Sequence, residues 1–377
     1  MNEKNKFVIK NTLGMFDLIK GITMIMVMFF HTYGLLDIVE QFSASDKHSL
    51  VADVTVMSLY ILLMTAGCTL MPILFIVSGY NFRRTTFSKC VKKQTKSLMV
   101  PYIVTGVMVA AVDFIWSYTT HWGWFLFSVK HAFSKIVGYA FGIPQSITVG
   151  GFYITGCGPV WFLLAMAIGN VIVNQLSFHF DGIKLLIISF LVATIGWLIT
   201  LWVPLIWCIS QGLVATFFIS LGHFAKKAKF FSSGFNIKKL AIMIVDIIAT
   251  ITLICIGGRN TVNMVSNHYL FGTISVGVVG TFGLFLTQLV LYCNKFSGRI
   301  STFIRGIGRD SLYVLCIHTI EYIGVSLNIH YDIAANWKGN IYIRCLIIFA
   351  VRIVIVLVGT RCYLKMKEKY MNKVTKA

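Results

Sequence analysis

The sequence predicts an all-α polytopic membrane protein of about ten transmembrane helices, with both termini on the cytoplasmic side. Three observations carry that prediction. A bilayer core needs about 20 apolar residues per helix, and ten stretches of the chain qualify. Of 377 residues 57% are hydrophobic and only 12% charged, with a mean hydropathy of +0.80, where a soluble chain carries about a quarter charged residues. The basic residues also alternate from side to side of the apolar runs, as the positive-inside rule expects.

The ten runs are approximately 16–36, 54–80, 98–118, 158–176, 183–200, 203–223, 240–257, 267–292, 310–327 and 341–362. Segments before the first and after every even-numbered run hold most of the lysines and arginines: Lys4, Lys6 and Lys10, then Arg83 to Lys96, Lys226 to Lys239, Lys295 to Arg309, and the tail from Arg361. Opposite segments hold only Lys47, Lys130, Lys135, Arg259 and Lys338. The net charge of +20 is therefore read as topology, with attraction to anionic lipids or to an anionic cofactor. Nucleic acid is not an expected partner, since no basic face on a soluble reading module exists. The partner expected from composition is the lipid bilayer, and the chain 1–377 reads as one transmembrane domain in the cell membrane. The first apolar run has no small-residue cleavage site and is expected to stay as an anchor. The nine cysteines lack C-x2-C spacing and mostly fall inside spans, so they read as small packing residues, with no metal site expected.

In the first span, DLIKGITMIMVMFFHTYG, Lys20 and His31 are the unusual residues. Eleven positions at about 100° each return to nearly the same helix face, roughly 16 Å further along. Burying either group in hydrocarbon is costly, which makes both functional candidates; the plainer alternative is a snorkelling lysine and a histidine bonded to a neighbouring helix. The second span ends LFIVSGYNFRR, where Ser78 and Gly79 suit close backbone approach and Arg83 and Arg84 flank the inside. Pro101 is expected to open the third span, where its missing N–H costs nothing.

A long external segment, about 119–157, follows. It carries His121, Trp122, Trp124 and then Val129, Phe133, Val137 and Ala140 at helical spacing, which predicts an interfacial amphipathic helix. Loops of this length are uncommon unless functional, so the segment is a candidate cover over an acceptor site. The fourth span opens GPVWFLLAM, with Trp161 expected at the outer interface. Asp113, Asp246, Arg344 and Arg352 lie at membrane depth, to pair among themselves or line a cavity. In the ninth span His318 and Glu321 are one turn apart and can hydrogen-bond along one face, tuning an acid or base or merely satisfying each other.

Five of these segments, in order, resemble the integral-membrane acyltransferase family 3. DLIKGITMIMVMFFH is similar to its first-helix signature, in which Asp17 precedes a basic residue and a histidine. LFIVSGYNFRR resembles its Ser-Gly motif, KSLMVPY its basic-then-Pro-Tyr motif, and GPVWFLLAM its Trp-Phe-Leu motif. IGRDSLYVLCIH resembles its C-terminal Gly-x-x-Ser-Leu motif, with Ser311 and the trailing His318. The chain departs from the family at Lys20, where arginine is usual; lysine makes a point-charge contact and not a bidentate phosphate fork. The resemblance implies transfer of an acyl group, usually acetyl, from cytoplasmic acetyl-CoA to a hydroxyl of an extracytoplasmic glycan or lipid-linked sugar. Under it His31 acts as general base or as an acylated nucleophile. Lys20, Ser78, Arg83 and Arg84 would hold the donor, and Asp17, Trp161, Ser311, His318 and Glu321 would support the site. A transport or binding protein on the same scaffold is the competing expectation, though no symmetric halves are visible.

Overall fold

The computed structural model describes residues 14–32, 50–120, 125–203, 205–234, 236–257, 264, 269, 271–295, 298–326, 333 and 336–374. Lys4, Lys6, Lys10, Lys47, His121, Trp122, Trp124 and Arg259 lie outside the described residues, as do positions 33–36 of the first predicted span. The described chain is an all-α bundle with one small hairpin. Its helices are α1 (Asp17–Phe30), α2 (Leu50–Tyr80), α3 (Phe87–Thr120), α4 (Phe125–Ala140), α5 (Trp161–Leu176), α6 (Gly182–Thr200), α7 (Ile209–Lys227), α8 (Ile237–Gly257), α9 (Thr273–Tyr292), α10 (Arg299–Arg309), α11 (Ser311–Thr319) and α12 (Ile341–Val374). Strands β1 (Ile147–Val149) and β2 (Phe152–Ile154) pair antiparallel between α4 and α5.

Among the described residues eight helices are long and apolar enough to cross a membrane. They coincide with the second to eighth and the tenth apolar runs. The first run is the 14-residue α1. The ninth is α11, which continues as a π-helical segment over Ile320–Ser326.

Pro101 does not open its helix. The helix begins 14 residues earlier, at Phe87, and runs through a π-helical segment at Thr95–Met99 immediately before the proline. The wider turn accommodates the missing N–H, so the helix passes Pro101 without stopping. Its first two turns are amphipathic, with Cys90 buried and Lys89, Lys92 and Lys93 exposed.

Helix α4 forms where helical spacing predicts it, with large apolar residues on its outer face. Phe125, Leu126, Val129, Phe133 and Ile136 point outward, while Ser128, Ser134, Lys135 and Gly138 are buried. It lies along α3: Gly106 of α3 meets the Tyr139 ring, the Tyr102 hydroxyl donates to the Tyr139 carbonyl at 2.7 Å, and Lys135 pairs with Asp113 at 2.8 Å. Lipid is no less apolar than leucine, so small and polar residues turn to the neighbouring helix and large apolar ones face out.

Two close backbone approaches set the frame around the site. Gly79 of α2 lies against the Ile219 carbonyl of α7, where any β-carbon would collide with backbone. That contact accounts for the Ser-Gly pair as a packing device. Gly308 of α10 lies in the same way on the Asp17 carbonyl, and Gly21 of α1 on the Ile304 carbonyl, so α10 is clamped along the first half of α1.

The polar residues at membrane depth do not pair among themselves. Asp113 takes Lys135, Asp246 accepts from the Thr281 hydroxyl at 2.7 Å, and Arg352 takes Glu321. Asp113 and Arg352 thus find an opposite charge on a separate element, which removes an unpaired charge from the interior, while Asp246 has a hydroxyl donor. All nine cysteines are free.

Candidate active site

Helix α1 ends at Phe30, and its C-cap is His31. Both the His31 backbone N–H (3.2 Å) and its Nδ1 (2.8 Å) bond the Val27 carbonyl. A carbonyl only accepts, so Nδ1 carries the proton and the Nε2 lone pair of the neutral ring is left for other use.

The second element is the junction of α11 with its π-helical segment. His318 is 1% exposed and Glu321 5%, and the His318 Nε2 lies 3.3 Å from His31 Nδ1. Facing an N–H, Nε2 must accept, so His318 carries its proton on Nδ1, which looks at Glu321 Oε2 from 3.5 Å. The carboxylate, the two imidazoles and the open Nε2 form one ordered series. The Val27 carbonyl sets the tautomer of His31, and the His31 N–H sets that of His318. The Tyr322 ring covers both imidazoles, with centroids 4.8 Å from His31 and 5.8 Å from His318. A π-helical turn, common at functional sites, carries Glu321, Tyr322 and Ile323 here.

The third element is α12. Arg352 is fully buried and closes the cluster. Its Nε lies 3.1 and 3.3 Å from the two Glu321 oxygens, its Nη1 donates to the His31 carbonyl, and its guanidinium stands 5.1 Å from the Tyr322 ring centroid. One cation thus ties the C-terminal end of α1 to the carboxylate behind His318. The position also suits the negative end of the α1 dipole.

The structure brings together His31, His318 and Glu321 from the predicted site and adds Arg352. The others stand elsewhere. Lys20 pairs with Asp17 at 2.8 Å in the first turn of α1, about 16 Å along the helix from His31. Ser78 exchanges hydrogen bonds with Asn170 at 3.3–3.4 Å, joining α2 to α5. Arg83 is exposed; Arg84 donates to the Ser177 carbonyl at 3.1 Å and stacks on Phe178. Trp161 is 4% exposed, in the core beside Phe162. Ser311 is the first residue of α11. Among the described residues no group of three or more His, Cys, Asp or Glu is placed to hold a metal ion.

Two cavities approach the cluster from opposite ends of the bundle. One, of about 920 Å³, lies between α10, α11 and α12; Arg299, Arg309 and Arg361 line it at the basic end, and Val314 and Ile353 at its deep end. Val314 is one helical turn before His318, and Ile353 follows Arg352. The other, of about 390 Å³, lies between α3, α4 and the hairpin and reaches Ile323, next to Tyr322.

Arg352 was visible in the sequence as a charge in an apolar run. Its partner is 31 positions away, a separation at which no local periodicity acts.

A family model described as an acyltransferase domain matches residues 14–359, nearly the whole chain. No curated protein and no solved structure matches it.

Proposed function

The chain belongs to the acyltransferase 3 family, and from that premise we propose that this membrane acyltransferase moves an acetyl group from cytoplasmic acetyl-CoA to a hydroxyl of an extracytoplasmic glycan or lipid-linked sugar. The observation that carries this reading is the neutral His31 ring, its proton held on Nδ1 by the Val27 carbonyl and its back turned to His318 and Glu321, which leaves the Nε2 lone pair for a proton. His31 is the general base. Its Nε2 takes the proton of the acceptor hydroxyl as the oxygen attacks the thioester carbonyl, and the C–S bond breaks as the ester forms. The proton then passes from the imidazolium to the departing thiolate of CoA. A neutral imidazole suits both transfers near pH 7. Glu321, through His318, stabilises the transient positive charge on His31, as a third group orients the base in other base-assisted sites.

The donor enters between α10 and α12. With ten spans and cytoplasmic termini, the basic end of the bundle faces the cytoplasm, where Arg299, Arg309 and Arg361 supply forks for phosphate. The acyl arm runs up the cavity towards Val314, one turn below His318. Lys20 contributes a further positive charge at the same end while paired with Asp17. Arg84 is already committed to Ser177 and Phe178, so it has less to offer the donor than the cavity arginines.

The experiment is turnover by purified protein in lipid nanodiscs: acetyl-CoA is consumed only when a sugar acceptor is present. Binding of acetyl-CoA without consumption across an acceptor panel would favour a carrier or receptor. For the donor cavity, calorimetric titration with CoA should show Arg309→Ala and Arg361→Ala each weakening binding about tenfold or more, the value of a charge-assisted hydrogen bond. Lys20→Ala should weaken it less, and Lys20→Arg should preserve it. Unchanged affinity in both arginine variants would remove the donor from this cavity.

A further inference from the structure

We infer that the cavity between α3, α4 and the β1–β2 hairpin is a saccharide subsite, in which the Asp113–Lys135 ion pair grips adjacent hydroxyls of a neutral sugar. As an acceptor subsite it rests on the acyl-transfer reading; as a sugar site it stands on its own geometry.

The cavity holds about 390 Å³, within the range of small-molecule sites. Its polar floor is the ion pair: Lys135 Nζ lies 2.8 Å from Asp113 Oδ1, with Asp113 3% and Lys135 7% exposed. The second carboxylate oxygen, Oδ2, is buried and has no hydrogen-bond partner among the described residues. A carboxylate only accepts, so the ligand that completes it must donate. Lys135 has three N–H donors and so can serve a neighbouring oxygen as well as Asp113. An acceptor beside a donor matches a pair of vicinal hydroxyls, each of which donates and accepts. Lys130 and His131 also line the cavity, yet a phosphate or carboxylate ligand, having no proton to give, would leave Oδ2 unsatisfied.

The Ser134 and Thr155 hydroxyls are already spent on shaping the wall. Ser134 Oγ donates to the Tyr153 carbonyl at 2.8 Å, lies 3.0 Å from Thr155 Oγ1 and accepts from the Thr155 N–H at 3.0 Å. These bonds pin the hairpin to α4, and the hairpin brings Phe152 and Tyr153 to the cavity, whose lining also includes Phe127. Aromatic faces beside a carboxylate suit a sugar, whose ring presents C–H groups on its faces and hydroxyls at its edge. Ile323 forms the inner wall, and the next residue back, Tyr322, packs on His31.

The test needs no acyl donor. Saturation-transfer NMR is run on the full chain in lipid nanodiscs, where no sugar-headed detergent competes. The probes are methyl glycosides of glucose, N-acetylglucosamine and rhamnose. Wild-type protein should pass saturation to at least one of them. Asp113→Asn should reduce it about tenfold or more, the worth of a hydrogen bond to a charged group. Because that change leaves Lys135 unpaired, Asp113→Asn with Lys135→Met is the neutral companion and should lose the signal equally. Tyr153→Ala, with an exposed ring whose removal leaves the backbone carbonyl bond in place, should also weaken it. Undiminished transfer in a folded double variant, or none to any glycoside from folded wild type, overturns the sugar site. Thioester turnover is a separate measurement, so either conclusion can fail while the other holds.

Discussion

Replacing His31 by alanine should lower acyl transfer by about 10²–10⁴-fold, the usual contribution of a general base, with little change in CoA affinity. His31→Gln sharpens the result. The glutamine amide can still donate to the Val27 carbonyl or to His318 Nε2, so the packing at the end of α1 survives. It has no group that takes up a proton near pH 7. The protein should therefore unfold at nearly the wild-type temperature while its turnover stays at the alanine level. His318→Ala and Glu321→Ala should each lose less than His31→Ala, because they back the base and do not touch the acceptor. Turnover near the normal rate in a folded His31→Gln protein would make His31 a structural cap. Trapping of an acetylated protein whose label is lost in His31→Gln would make the histidine a nucleophile instead.

Much of this frame is legible in the sequence, because its cause is local. Helical periodicity and the cost of exposing backbone in lipid place eight of the ten apolar runs on long helices. The one-turn spacing of His318 and Glu321 puts them on one face, and that of Asp17 and Lys20 produces an ion pair. What cannot be read is whatever depends on a second element. The face of α4 that turns inward is decided by Asp113 on α3, so an apolar stripe that would be a core in water is here the outer surface. Pro101 looks like a helix start because the π-helical adjustment before it leaves no mark in composition. Ser78 reads as a packing residue in isolation, and its hydrogen bond to Asn170, on another helix, leaves no local mark in the sequence.

Arg352 is the largest case of this kind, and its removal should have the second large effect. Arg352→Met leaves Glu321 as an unpaired carboxylate 5% exposed in the interior, and should cost about 3–5 kcal/mol of stability. It also strips the His31 carbonyl of a donor, so the end of α1 is no longer tied to α12. Loss of activity in that variant alone proves only that the fold has suffered. The informative protein is Arg352→Met with Glu321→Met, which removes both charges and should recover most of the unfolding temperature, since a buried pair exchanged for apolar groups is often neutral. If Arg352 and Glu321 are only structural, turnover returns with stability. If they position the base, turnover stays low, because His318 Nδ1 has lost its carboxylate and the positive charge that forms on His31 is no longer balanced through His318. Arg352→Lys separates charge from geometry. An ammonium preserves the pairing with Glu321 but cannot fork to the carboxylate and the His31 carbonyl together, so kcat should fall while acceptor KM holds. A double variant with wild-type kcat would remove Arg352 and Glu321 from the mechanism and leave the His31–His318 pair to act alone.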